Sequence, residues 1–185
     1  MMRASSLPRP LAWIDTLTDY LGKALTWLVL IMMLTEFLIV VLRYLFNFSN
    51  TPLQESVMYL HATVFLLAAA YTLKHDGHVR VDIFYRGMSA KKKAWVDLLG
   101  TLFLLLPVMI FTLLLSLGYV DKSWRILEGS PEPGGLPGVF LLKTLIPLFA
   151  VLMSLQGLVE LLRNALIIRG SRPMDDDPDQ PEEYL

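Results

Sequence analysis

The chain has 185 residues, 55% of them hydrophobic, and a mean hydropathy of +0.53, which is too apolar for an ordinary soluble domain. Sixteen Lys and Arg against seventeen Asp and Glu give a formal charge of −1, but six of the acids lie between Pro173 and Leu185, so the body of the chain is basic. Its bases flank apolar stretches and form no nucleic-acid patch. The lack of cysteine excludes disulfides, thiolate metal sites, iron–sulfur clusters and a cysteine nucleophile.

Residues 1–10 are expected to form a disordered N-terminus, 11–172 a membrane domain, and 173–185 a disordered acidic tail. From Leu11 to Lys23, the residues Trp13, Leu17, Tyr20 and Leu21 recur at helical spacing, with Asp15, Thr18, Asp19 and Gly22 between them. That pattern predicts a short amphipathic helix on the membrane surface, beginning after Pro10.

Spans are predicted at about 24–46, 56–73, 98–120 and 139–162. At about 1.5 Å rise per residue, 18 to 24 residues reach roughly 27–36 Å, enough for a hydrocarbon core of about 30 Å. The first span is too long for the core of a signal peptide, and no A-x-A site follows it, so it is expected to remain as an anchor. A second interfacial segment is predicted at about 79–95. There Lys91, Lys92 and Lys93 could meet anionic headgroups or act only as a topology signal. Between the last two spans, Gly129–Gly138 holds so many glycines and prolines that a constrained turn is expected.

Lys and Arg concentrate before the first span, between the second and third, and after the fourth, which places both termini in the cytoplasm. The expected fold is therefore an all-α integral membrane protein. Four transmembrane helices are accompanied by short interfacial amphipathic helices, N-in and C-in.

Ionisable groups inside spans are the first places to look for function, because burying them unpaired is costly. Glu36 lies about halfway along span one, where it reads as an ion relay or as a polar contact within the bundle or with another subunit. Arg43 and Glu55 flank the turn between spans one and two and are expected to form a charge pair across it. His61, inside span two, reads as a hydrogen-bonded packing residue. His75-Asp76-Gly77-His78 looks like a metal cluster but offers too few ligands, and no metal or other cofactor is expected. Asn47-Phe48-Ser49 matches a glycosylation sequon, a weak signal. No P-loop, no G-x-S-x-G and no second intramembrane histidine for a bis-His haem are present, so no enzyme is expected.

Several stretches together resemble one family. They are Arg43-Tyr44-Leu45-Phe46-Asn47-Phe48-Ser49, Gln54-Glu55-Ser56 continuing to His61, Tyr71–Asp82, and Gly134-Gly135-Leu136-Pro137 with Leu141-Leu142-Lys143. The chain resembles, over roughly residues 20 to 170, the small membrane subunit (Q subunit, DctQ-like) of TRAP transporters, the tripartite ATP-independent periplasmic transporters. The Gln54-Glu55-Ser56 and Gly134–Pro137 features resemble the subgroup labelled mannitol or chloroaromatic transport. Pro52-Leu53-Gln54-Glu55 stands where many members have Trp-x-Glu-Glu, so one acid of that motif is missing. His78, Arg80 and Asp82 fall in the most specific stretch of the resemblance and are structural or interface candidates for that reason.

The resemblance implies a scaffold subunit in the bacterial inner membrane. It would support a large membrane subunit in ion-gradient-driven uptake of an organic solute, an organic acid in particular, delivered by a periplasmic binding protein. Asp121–Gly138 is the longest outward connection, and its Lys122, Arg125, Glu128 and Glu132 are candidates for docking that protein. Two other readings stay open: a membrane anchor of a redox complex, and a stand-alone four-helix channel or exporter. No nucleic-acid partner is expected.

Overall fold

The computed structural model describes residues 9–78, 85 and 87–170. Five helices run through them: α1 (Arg9–Phe46), α2 (Thr51–Lys74), α3 (Ala90–Gly100), α4 (Leu106–Arg125) and α5 (Val139–Ile168). A π-helical turn, Thr101–Leu105, joins α3 to α4, so Ala90–Arg125 forms one rod of 36 residues. Among the described residues, four helical stretches are long and apolar enough to cross a membrane.

The helices outrun their predicted spans. No break separates Leu11–Lys23 from the first span; α1 is continuous for 38 residues, with Pro10 inside its first turn. Proline is tolerated there because the first-turn N–H groups have no intrahelical partner. The separate amphipathic helix expected over Leu11–Lys23 therefore lies within the first four turns of α1. Ala90–Trp95 likewise opens the third rod, while 79–84 and 86 lie outside the described residues. So do most of the N-terminus expected at 1–10 and all of the acidic tail expected at 173–185.

Local chemistry sets the ends. Asn47, left-handed at φ 48°, stops α1, and the Phe48 N–H caps the Leu42 carbonyl at 3.0 Å. Two residues later the Asn50 side chain accepts the Leu53 N–H at 3.0 Å, with Pro52 in the first turn, so α2 starts well before the predicted Ser56. The π turn ends two residues before Pro107, which removes one N–H from the ladder and whose ring disturbs the turn before it.

The helices pack in the order α1, α2, α5, α4, with α3 also on α5 and a smaller contact between α1 and α5. The most buried of the four spanning helices is α5. The core is thin: Ala70, Met109 and Met153 at its centre, with Leu73, Leu105 and Phe149 against them. Lipid tails are as apolar as Leu, so the helices cohere by close approach of small residues and by polar contacts. Gly157 shows this: a Cβ there would stand 2.6 Å from Leu105 Cδ2. Gly22 takes the ring of Tyr71 where a Cβ would be. Much of the rest, including Trp27, Phe37, Phe65, Phe103 and Phe111, is exposed on the outside of the unit, as the lipid-facing surface of a membrane protein should be.

Candidate functional site

Antiparallel order puts the start of α1 and the ends of α2 and α5 on one face, here the terminal face. The end of α1, the start of α2 and the α4–α5 connection share the other, the loop face. Polar side chains cluster at each face and in one groove between α1 and α2.

At the loop face, Glu55 in the second turn of α2 holds the α4–α5 connection. One carboxylate oxygen accepts the Ser130 hydroxyl, and the other accepts the Leu136 N–H at 2.6 Å. The loop closes on itself through Ser130 N–H to the Leu136 carbonyl at 3.0 Å and Gly135 N–H to the Glu132 carbonyl at 3.0 Å. Gly134 sits at φ 74°, in the left-handed region. Gly135 passes so close that a Cβ would meet the Ser130 side chain at 2.5 Å and Glu55 Oε1 at 2.7 Å.

The expected Arg43–Glu55 pair is absent. Both oxygens of Glu55 are taken by the loop, and Arg43 is exposed on α1 without a salt bridge among the described residues. Partners 75 and 81 residues away in sequence displaced the near one, because the carboxylate faces the Ser130 hydroxyl and the main-chain N–H of Leu136, a part-buried donor that needs an acceptor.

Four charges of this face were candidates for docking, and they separate into two kinds. Lys122, Arg125 and Glu132 are exposed, Arg125 with an i,i+4 contact to Asp121 at 2.9 Å. Glu128 is different: it binds Lys143 of α5 at 2.5 Å, and Lys143 also stands 4.1 Å over the Tyr119 ring. This ammonium holds the Glu128 carboxyl below the usual carboxylate range. Lys143 begins an apolar span and needs a counter-ion, so Glu128 is a structural partner and no free rim charge. Trp124 completes the contact, donating to Thr144 Oγ1 at 2.9 Å and meeting Phe140 edge-on at 4.7 Å.

At the terminal face a larger network joins three helices. Lys74 Nζ lies 3.0 Å from Asp15 and 2.8 Å from Asp19 and donates to the Asp15 carbonyl at 2.7 Å. Arg163 reaches Asp15 at 3.0 Å and Glu160 at 2.6 Å. Gln156, fully buried, accepts from Thr18 at 3.0 Å and donates to Glu160 at 3.2 Å. His75 adds a 3.2 Å contact with Asp19, and its ring lies on Tyr71. The Lys74 and Arg163 side chains are only 8% and 10% exposed, which makes these interior pairs, not surface ones.

No sequence pattern singled this network out. Lys74 and Arg163 read as topology signals, and Asp15 and Asp19 as the polar side of an amphipathic helix. The available signal was the i,i+4 spacing of the two acids and the i,i+3 spacing of Glu160 and Arg163, each among apolar neighbours.

The groove between α1 and α2 is lined by Glu36, Arg43, Gln54 and His61 among apolar side chains such as Met32 and Val57. Glu36 and His61 are exposed, and His61 stacks on Phe65 at 6.2 Å. The packing role expected of His61 is therefore a contact with one ring on its own helix; it is not buried in the bundle. His78 is exposed just beyond α2, whereas Arg80 and Asp82 lie outside the described residues. Among the described residues no three His, Asp or Glu side chains converge to hold a metal ion.

Four long apolar helices, with ion pairs confined mainly to their ends, define a multi-pass membrane protein. Residues 32–166 match the family model of the tripartite ATP-independent periplasmic transporters, DctQ component, and the chain belongs to that family. The family is one of transporter components and not of enzymes, and it places the chain in the inner membrane. Comparisons with curated proteins and with solved structures gave no match.

Proposed function

We propose that this chain is the fixed scaffold subunit of its transporter. It braces a large membrane subunit that moves an organic solute, an organic acid in particular, inward on an ion gradient. A periplasmic binding protein delivers the solute. The observation that carries the reading is the use of its charges. Asp15, Asp19, Lys74, Glu160 and Arg163 tie three helices at one face, and Glu128 and Lys143 tie the loop to α5 at the other. These groups stiffen a body; they do not line a path through it.

The terminal face is the cytoplasmic one in this reading, since Lys and Arg concentrate there, and the loop face is periplasmic. Lys91–Lys93, at the start of α3, then stand at the headgroup level of the inner leaflet. The Gln54-Glu55-Ser56 and Gly134–Pro137 features, which the structure brings into contact through Glu55, also support the mannitol or chloroaromatic-type subgroup.

Reconstitution tests the reading. Detergent extraction after co-expression should recover this chain with the large subunit. Proteoliposomes should take up solute only when both subunits and the binding protein are present. Uptake by this chain alone would reject the scaffold reading in favour of a channel or exporter. A haem absorbance band in the purified chain would favour the redox anchor.

A further inference from the structure

Glu36 and Arg43 are seven residues apart on α1, about 10 Å along the axis, and so share a face. Gln54 and His61 have the same spacing on α2, which runs the opposite way. Counted from the short α1–α2 connection, Arg43 and Gln54 stand at one depth and Glu36 and His61 at a second, about two turns deeper. All four line one open groove of about 830 Å³. Glu36, Arg43 and His61 make no hydrogen bond or salt bridge with any described residue, and all three are exposed.

Depth makes the inner level decisive. Glu36 is ten residues from the end of α1 and His61 ten from the start of α2, each about 15 Å along its helix, near the middle of a core of about 30 Å. Arg43 can extend to the interface, but a mid-membrane glutamate cannot, and acyl chains offer it no donor. A second copy of this chain, related by a two-fold axis along the membrane normal, could set Glu36 against the other His61. At the outer level it would bring only another Arg43 and Gln54, two guanidinium groups without an acid.

We propose that the α1–α2 groove receives one transmembrane helix of the large subunit. That helix presents a hydrogen-bond donor or base to Glu36 at mid-membrane and an acidic group to Arg43 about two turns further out. The groove would then be the polar centre of the interface between subunits, with the surrounding Met and Val side chains as its apolar rim. The proposal rests on the reading of this chain as a scaffold for a large subunit.

The chain has no cysteine, so a photo-crosslinking residue or a single cysteine can be placed freely. A photo-crosslinker at Met58 or Val40 in the co-expressed complex should attach to the large subunit, and one at Phe111 on α4 should not. Glu36→Lys and Arg43→Glu should each lower the recovered large subunit about tenfold. Glu36→Gln and Arg43→Lys should have smaller effects, and each purified small subunit should keep wild-type helicity. Crosslinks from Phe111 alone, or groove crosslinks to a second copy or to lipid only, overturn the inference and leave the scaffold reading intact. So does full recovery of the large subunit with both charge reversals. If the wild-type chain fails to recover a large subunit at all, the scaffold reading falls and the inference with it.

Discussion

Glu55, in the second turn of α2, accepts the main-chain N–H of Leu136, 81 residues further along the chain, at 2.6 Å. The same carboxylate takes the Ser130 hydroxyl. One side chain thus fixes both ends of a turn whose glycines and prolines restrict its shape without choosing its position.

Removing that charge should release the turn. A hydrogen bond to a charged group contributes about 1.5–3 kcal/mol, so Glu55→Gln should destabilise by roughly that amount in thermal unfolding in detergent. A double-mutant cycle between Glu55→Ala and Ser130→Ala should show a coupling of about 0.5–3 kcal/mol. The cycle between Glu55→Ala and Arg43→Ala should be additive within about 0.5 kcal/mol, because the two side chains do not pair. Coupling in the second cycle would restore the ion pair that the turn between spans one and two suggested.

The Glu128–Lys143 contact predicts a pH dependence with a definite sign. Lys143 holds the folded-state pKa of Glu128 below its ordinary 4.5, so folding favours the deprotonated form. Its contribution is fully present above the ordinary value and is lost as pH falls below 4.5 toward the depressed folded value. Proteolysis of the α4–α5 connection should accelerate over that acid range in the wild type. In Glu128→Gln it should be faster at neutral pH and should show a smaller acid response. An unchanged acid response in Glu128→Gln would assign the titration to another carboxylate.

The terminal-face network should tolerate loss of one partner poorly. Breaking an interior pair from one side costs about 3–5 kcal/mol, since it leaves a charge without compensation. Lys74→Met leaves Asp15 and Asp19 facing each other, and Arg163→Met leaves Glu160 beside Asp15. Each should lower the thermal midpoint in detergent more than any exposed substitution on α4. Lys74→Met with Asp19→Asn should recover part of the loss. A full loss in the double variant would mean that Asp19 contributes independently of Lys74.

These three sites show what the sequence pattern could and could not carry. The four apolar spans were legible because about 20 apolar residues in a row have few other uses. Their ends were not, because helix continues past the hydrocarbon boundary wherever no breaker stops it. Nothing between Lys23 and Ala24 interrupts α1, and Asn50 with Pro52 starts α2 before its apolar run begins. The groups Glu36, Arg43 and His61 stood out as charges in apolar surroundings, and the structure brings them to one groove. The loop partners of Glu55 and the Asp15 and Asp19 partners of Lys74 and Arg163 were hidden because they lie in a distant loop or on another helix, and helical spacing informs only on neighbours three or four residues away.

Topology follows from the same faces. With Lys and Arg marking the cytoplasmic side, a cysteine at Glu132 should react with a membrane-impermeant maleimide in spheroplasts. One at Lys91, exposed at the start of α3, should react only after permeabilisation. The opposite pattern would invert the protein in the membrane and remove the loop face from the periplasm.

If the loop face is periplasmic, its free charges are the place to test docking. Lys122, Arg125 and Glu132 are exposed, and the Arg125–Asp121 contact is an i,i+4 surface pair, worth about 0.3–0.5 kcal/mol and easily exchanged for a contact with another protein. Rim charges act mainly on association rate and its salt dependence. Reversing each singly should raise the concentration of binding protein needed for half-maximal uptake about two- to tenfold at low salt, with a smaller effect at high salt. Recovery of the large subunit should not change. Glu128→Lys serves as the contrast: it sets two ammonium groups together at the start of α5, so it should reduce the yield of folded protein as well as uptake. If the three exposed reversals leave the half-maximal concentration unchanged, the binding protein docks elsewhere, and the loop held by Glu55 serves only to join α4 to α5.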